Sequence, residues 1–371
     1  MNEDKAARYH RLKRRAGILA GLTTALVLGV FLLTGASQAL AAAAQAIAPF
    51  LPPLSVAMYV AVLAGVQEAA GFPLALYRTF ILERRYGLSR EPFGAWLRSH
   101  LQASVLGLAL AVLGAEVVYW LLPRSPEWWW LLAAVVSLAA MSVMARLAPV
   151  LVMPIFYKFR PLERESLRSR LVALSERAGV PVLGVYEWGL GEKTRRANAA
   201  LVGTGRTRRI IVSDTLLGAY SEDEIEVVLA HELGHHVHRD IRAALIVEAG
   251  LIAAALFAAA CALDASWRPL GLAAPWDVTG LPLLLLAGGA VRVAASPLVN
   301  ALSRRTERRA DLYALELTGQ PAAFISAMKR LAAQNLAEED PGRAVMWLFH
   351  THPPVSQRID AARRFVAPIG E

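Results

Sequence analysis

The sequence predicts a mainly α-helical polytopic membrane protein, with about six transmembrane helices and an α+β domain on the cytoplasmic side. Three observations carry this reading. Of the 371 residues, 56% are apolar, more than a soluble domain needs. The excess falls in blocks of about twenty residues or more, each long enough to cross the hydrocarbon core as a helix. The charges between the blocks alternate in density, as the positive-inside rule requires.

The blocks are Ala16–Leu40, Leu54–Leu76, Leu101–Leu122, Trp128–Val152, Ile241–Leu263 and Leu281–Leu302. Lys5, Arg8, Arg11, Lys13, Arg14 and Arg15 precede the first, whereas Ala41–Pro53 carries no charge. Arg78, Arg84, Arg85, Arg90 and Arg98 follow the second block, and the turn after the third has only Arg124 and Glu127. Arginine returns after the fourth, and the loop between the fifth and sixth has Arg268 with Asp264 and Asp277. Both termini and the non-membrane domain are therefore expected in the cytoplasm. The net charge of +9 belongs to this topology and implies no nucleic-acid partner. The basic start, the apolar run and Ala36-Ser37-Gln38-Ala39 also have the form of a signal peptide, but the run is long for one, and an uncleaved first span is the preferred reading. Glu68, Glu116, Glu248 and Arg292 lie inside spans. They must face protein or water, either as internal ion pairs or as the lining of a cavity.

We divide the chain into residues 1–152, a membrane domain of four spans, and residues 153–371, which hold the α+β domain and two further spans at about 241–263 and 281–302. Leu162–Gly179 reads as an amphipathic helix with Leu167, Leu171 and Leu174 on one face and Gly179 as its stop. Val182–Trp188, Ala197–Val202 and Arg209–Ser213 read as strands, the last two joined by the turn Gly203-Thr204-Gly205. Ser221 with Glu224 has the capping-box form and opens a helical run through Ile225–Val247. No proline or other stop separates His235 from Ile241, so one helix is expected to run from this segment into the fifth span. The single cysteine, Cys261, excludes an intramolecular disulfide and is best read as a small buried apolar residue.

His231-Glu232-Leu233-Gly234-His235 has the form H-E-x-x-H. At i and i+4 the two imidazoles share one helix face and reach a single zinc ion, and Glu232 is placed to act as general base on a zinc-bound water. Two surface histidines on an amphipathic helix would not explain the glutamate and glycine between them. A catalytic zinc needs a third ligand. Glu307 and Asp311, four apart on the helix after the sixth span, are the candidates: Glu307 as ligand, Asp311 as acceptor for a ligand histidine. Spacing alone equally allows Glu307 to pair with neighbouring arginines.

The pair Val227–His235 ("VVLAHELGH") and Ser303–Asp311 ("SRRTERRAD") resembles the integral-membrane zinc metalloproteases related to the type I CAAX prenyl protease and the heat-shock membrane protease. Tyr77–Leu88, Met153–Phe159 with Pro161-Leu162, Asn198-Ala199, Ile210–Leu217 and Thr351-His352-Pro353-Pro354 with Arg358 extend the resemblance toward the CAAX branch, in the family's order. The resemblance implies a zincin-type peptidase domain with one Zn2+ per chain. It also implies that the Asn198–Ala199 strand lies beside the metal as a substrate edge, that His352 donates to the oxyanion, that Arg358 orients substrate, and that the spans enclose a chamber. An ordinary edge strand, and a turn residue before two prolines, are the plain alternatives for Asn198 and His352. Asp240 departs from the pattern: CAAX proteases often have a histidine there.

The expected activity is metal-dependent hydrolysis of peptide bonds, near the C-terminus of lipidated or membrane-associated peptides. A membrane quality-control protease is the alternative, and a transporter or inactive scaffold ranks lower because neither needs His231, Glu232, His235 and Glu307 together. The expected partners are a peptide or protein substrate and the bilayer. The expected location is the cell inner membrane in a prokaryote or the endoplasmic reticulum in a eukaryote, with the active site on the cytoplasmic side.

Overall fold

A computed structural model describes residues 5–203 and 205–365. Among them six helices are long and apolar enough to cross a membrane: Lys5–Leu33, Pro52–Arg85, Phe93–Leu121, Trp129–Leu147, Asp240–Ser266 and Val278–Thr318. They match the six apolar blocks in order, with shifted ends. The basic stretch before the first block is itself helical, and that block breaks after Leu33. Gly35, at φ 78°, starts a separate short helix, Ala36–Ile47, a left-handed conformation that glycine adopts without steric cost. Three of the four ionisable groups inside spans are paired across helices: Arg292 Nη1 donates to both Glu248 oxygens at 2.7 Å. Glu68 Oε1 lies 2.6 Å from His100 Nε2.

The domain outside the membrane is built on a four-stranded sheet of order β1-β2-β4-β3. The strands are β1 (Phe159–Pro161), β2 (Val185–Trp188), β3 (Ala199–Val202) and β4 (Arg209–Ser213). β1 is absent from the sequence reading; three residues ending in proline carry no alternation. β2 runs parallel to β4, with Val185 opposite Ile210, and β3 is antiparallel to β4, with Ala199 opposite Val212. β3 is thus an edge strand. Thr204, in the turn between β3 and β4, lies outside the described residues.

The amphipathic helix forms over Glu165–Arg177, and Gly179 ends it at φ 67°. Its Leu167, Leu171 and Leu174 are buried with Ile210 and Val212 of β4, Ile225, Leu229 and Leu233 of the next helix, and Phe324 and Ala327 of Pro321–Asn335. That next helix, Glu222–Val237, carries the H-E-x-x-H residues. Ser221 and Glu224 open it as expected, with Ser221 Oγ accepting from the Glu224 amide and the Glu224 carboxylate accepting from the Ser221 amide.

The expected continuous helix into the fifth span is not formed. The histidine helix stops at Val237, Arg239 is left-handed at φ 59°, and a new helix begins at Asp240. No glycine or proline marks the break. It is held by side chains: His238 Nδ1 lies 2.8 Å from the Gly234 carbonyl, and Asp240 is buried on its far side. The sixth span, in contrast, runs on without interruption. Leu281–Thr318 is one helix through Pro297, and it carries Asn300, Arg304, Glu307 and Asp311, all buried.

Candidate metal-dependent active site

Gly234 lets the two site-bearing helices approach. A Cβ there would stand 3.1 Å from Ala310 Cα and 3.3 Å from the Ala310 carbonyl oxygen. At this crossing His231, His235 and Glu307 converge, each offering one ligand atom within 4.8 Å of the others.

The hydrogen bonds of the imidazoles decide what these atoms can do. His231 Nδ1 lies 2.9 Å from Asp311 Oδ1, and His235 Nδ1 lies 2.9 Å from Asp240 Oδ2. An ionised carboxylate only accepts, so each Nδ1 carries the proton and each Nε2 presents a lone pair. The two Nε2 atoms are 3.2 Å apart. His231 Nε2 is 3.3 Å from Glu307 Oε2, and His235 Nε2 is 3.3 Å from Glu307 Oε1. Glu307 Oε2 is buried and has no hydrogen-bond partner among the described residues. Lone pairs are therefore aimed at lone pairs, an arrangement that only a cation or extra protons can stabilise. Two imidazoles and a carboxylate fit the ligand set of a catalytic zinc.

Without a cation the site attracts protons. Burial works against a charged imidazole at His231, but the carboxylates of Asp311 and Glu307 outweigh it and lift the group to about 9. His235 is raised for the same reason, by Glu307 and Asp240 against burial. Glu232 lies between the two histidines in sequence. Burial pushes its carboxyl above the ordinary value, with the positive groups around it only partly offsetting this, which makes it a better proton acceptor.

Asp311 is held in turn by Arg358, whose Nε donates to Oδ2 at 2.8 Å and whose Nη2 donates to Oδ1 at 2.5 Å. The Arg358 Nη2 is also 3.4 Å from His231 Nδ1. Arg358 therefore stands behind a histidine, whereas the sequence reading had it orienting substrate. His352 faces the other side of Glu307, with Nε2 3.4 Å from Oε1 and its side chain 61% exposed. Asn198 and Ala199 lie where β3 begins. The Asn198 amide donates to Ser213 Oγ, and its carbonyl accepts from the Ser213 amide. β3 packs beside the histidine helix.

Three residues at the site escaped sequence reasoning, and a fourth, Asp240, was noted there only as a departure from the family pattern. Asp240 and Arg309 join behind His235, where Arg309 Nη2 donates to Asp240 Oδ1. Asn300 donates to the carbonyls of Trp347 and Leu348, and Arg304 to those of Met346 and His350. These bonds cap the end of the helix Arg343–Phe349 and set the course of the segment bearing His352. Asp240 follows His235 by five residues, a spacing with no helical meaning. Asn300, Arg304 and Glu307, however, follow one another at about one helical turn along one face, a signal that was available.

The model for peptidase family M48 matches residues 161–366. A second model, described as CAAX prenyl protease N-terminal, five membrane helices, matches residues 2–158. An uncharacterized metalloprotease of Bacillus subtilis, YhfN, is 30% identical over 287 residues, covering 75% of this chain and 66% of that protein. A CAAX prenyl protease 1 homolog of Caenorhabditis elegans is 26% identical over 350 residues, covering 85% of this chain and 78% of that protein. In fold, the chain is similar to the crystal structure of S. mikatae Ste24p, with a TM-score of 0.77, 22% identity, and coverage of 84% of this chain and 76% of that one.

Proposed function

This chain belongs to peptidase family M48, and from that premise we propose that it is a membrane-embedded zinc metalloendopeptidase whose single zinc is held by His231, His235 and Glu307. The observation that carries the proposal is the set of lone-pair atoms at 3.2–3.3 Å that no proton arrangement of neutral imidazoles satisfies. A zinc ion held there supplies Lewis acidity to a water and to the scissile carbonyl.

The chain's own residues supply the rest. Glu232 takes the proton of the attacking water and delivers it to the leaving amine. His352, on the open side of Glu307, donates to the developing oxyanion. Asp311, braced by Arg358, keeps His231 in the tautomer that presents Nε2. The free edge of β3, from Ala199 onward, binds extended substrate through main-chain hydrogen bonds, and Asn198, whose main chain is bonded to Ser213, contributes its side chain.

Residues 1–152 form the membrane domain and 153–371 the peptidase domain with its two spans. The arginine distribution supports a site on the cytoplasmic side. Both site-bearing helices abut spans, so the substrates are peptides cut close to the bilayer. The likeness to CAAX prenyl protease 1 homologs supports substrates lipidated near their C-terminus.

The test is metal content and peptide cleavage in detergent, for wild type and Glu232→Gln side by side. One zinc per chain in both, with cleavage by wild type alone, is expected. Absence of zinc from both would overturn the reading.

A further inference from the structure

Asp240 is only 8% exposed, and both of its carboxylate oxygens are committed. Oδ2 accepts from His235 Nδ1 at 2.9 Å, and Oδ1 accepts from Arg309 Nη2. As the first residue of the Asp240–Ser266 helix, it has an ordinary explanation: an acid in a first turn favours the helix dipole. That explanation needs neither burial nor two committed oxygens. It also leaves Arg239 unexplained. A non-glycine residue in the left-handed region costs about 1–2 kcal/mol and persists only where its surroundings impose it.

The break at Arg239 has a geometric result. On a continuous helix a residue five positions on lies about 140° round the axis, so Asp240 would point away from His235. The left-handed turn brings it back onto the imidazole. The outcome matches the other ligand: His231 is backed by Asp311 and Arg358, His235 by Asp240 and Arg309. The two supports come from different places. Asp311 and Arg309 both belong to the Leu281–Thr318 helix, so that helix holds one histidine directly and the other through an arginine.

We propose that Asp240, held by Arg309, is a positioning residue for His235. It fixes the ring and its tautomer so that Nε2 faces Glu307. This rests on the metal site proposed above and extends it to a residue that sequence reasoning treated as a departure from the family pattern. Removing such a carboxylate typically weakens metal binding 10–100-fold. The Arg309 side chain is 46% exposed, against 12% for Arg358, so its loss has the smaller effect.

The experiment measures zinc affinity by chelator competition, in detergent, on the full chain in wild type, Asp240→Ser, Asp240→Asn and Arg309→Ala. The melting temperature of each zinc-free form is measured in parallel. Serine is a good helix-start residue but too short to reach His235. Asp240→Ser is expected to lose roughly 10–100-fold in zinc affinity, with Asp240→Asn, which keeps an acceptor oxygen, in between. Arg309→Ala is expected to lose affinity in the same direction, and it decides the matter if the Asp240 variants do not fold. Wild-type affinity in both Asp240→Ser and Arg309→Ala would overturn the proposal while leaving the metal site intact. A wild type that takes up no zinc would instead remove the metal reading and this one with it.

Discussion

Arg196 Nη2 reaches both oxygens of Glu83, at 3.1 and 2.9 Å, and so joins the end of the second span to the loop that leads into β3. Tyr9 donates to Glu83 Oε1 at 2.5 Å, and Lys13 does so at 2.8 Å. The first span, the second span and the loop before β3 thus share one carboxylate. Glu83→Ala would leave two cations partly buried without their partner. Breaking a fully buried pair costs roughly 3–5 kcal/mol. Lys13 and Arg196 are about a third exposed, so about 2–3 kcal/mol is expected here. A thermal melt in detergent should show a clear fall, and an unchanged melting temperature would refute the role of this hub.

Gly234→Ala should weaken the site without touching a ligand. The added methyl meets backbone of Ala310 at 3.1 Å, and backbone does not give way as a flexible side chain does. Overpacking of this kind costs about 1–3 kcal/mol. The helices must separate, carrying His231 and His235 away from Glu307. Lower zinc affinity and lower stability are both expected, the first by chelator competition and the second by melting.

Arg358→Lys separates two roles. If Arg358 serves Asp311 and hence His231, lysine keeps the charge but loses the two-pronged contact, and zinc affinity falls. If it binds substrate instead, affinity for zinc is untouched and KM rises. The geometry predicts the first outcome, with a loss of roughly tenfold or more.

Glu224 gives the domain an acid-sensitive element. Burial works to raise its carboxyl, but hydrogen bonds from Ser326 and from the Ser221 amide, with the charge of Arg330, hold it below its ordinary 4.5. The folded state therefore binds this proton less readily than the unfolded chain. The stabilisation is present above about 4.5 and is lost as pH falls through the lower folded value. Wild type should lose melting temperature below pH about 4.5 more steeply than Glu224→Gln. Parallel curves would show that this group does not contribute.

The helices, the metal motif and the capping box were legible because each rests on local periodicity or a fixed short spacing. The glycine of H-E-x-x-H was visible as an oddity, and the structure supplies its reason: Ala310 lies against it. The break at Arg239 was not legible, because its cause is tertiary. A buried Asp240 and the His238 ring overrule a sequence with no helix breaker. The short strand β1 was hidden for the same reason, since its three residues are recruited by β2. Arg358 was found, but its contact with Asp311 was not legible, because spacing does not reveal that the two, 47 residues apart in sequence, lie 2.8 Å apart in space.

The two helices that meet at the metal site are mechanically unlike. The histidine helix is broken from its span at Arg239, whereas Glu307 lies on the same continuous helix as the sixth span. From Ser296 to Glu307 that helix extends about 16 Å, so a change of about 5° in its tilt displaces Glu307 by about 1.4 Å. Tilt follows the thickness of the surrounding hydrocarbon. Glu307 is thereby carried on a lever that follows the lipid, and the thickness of the host bilayer becomes a variable of its distance from the two histidines.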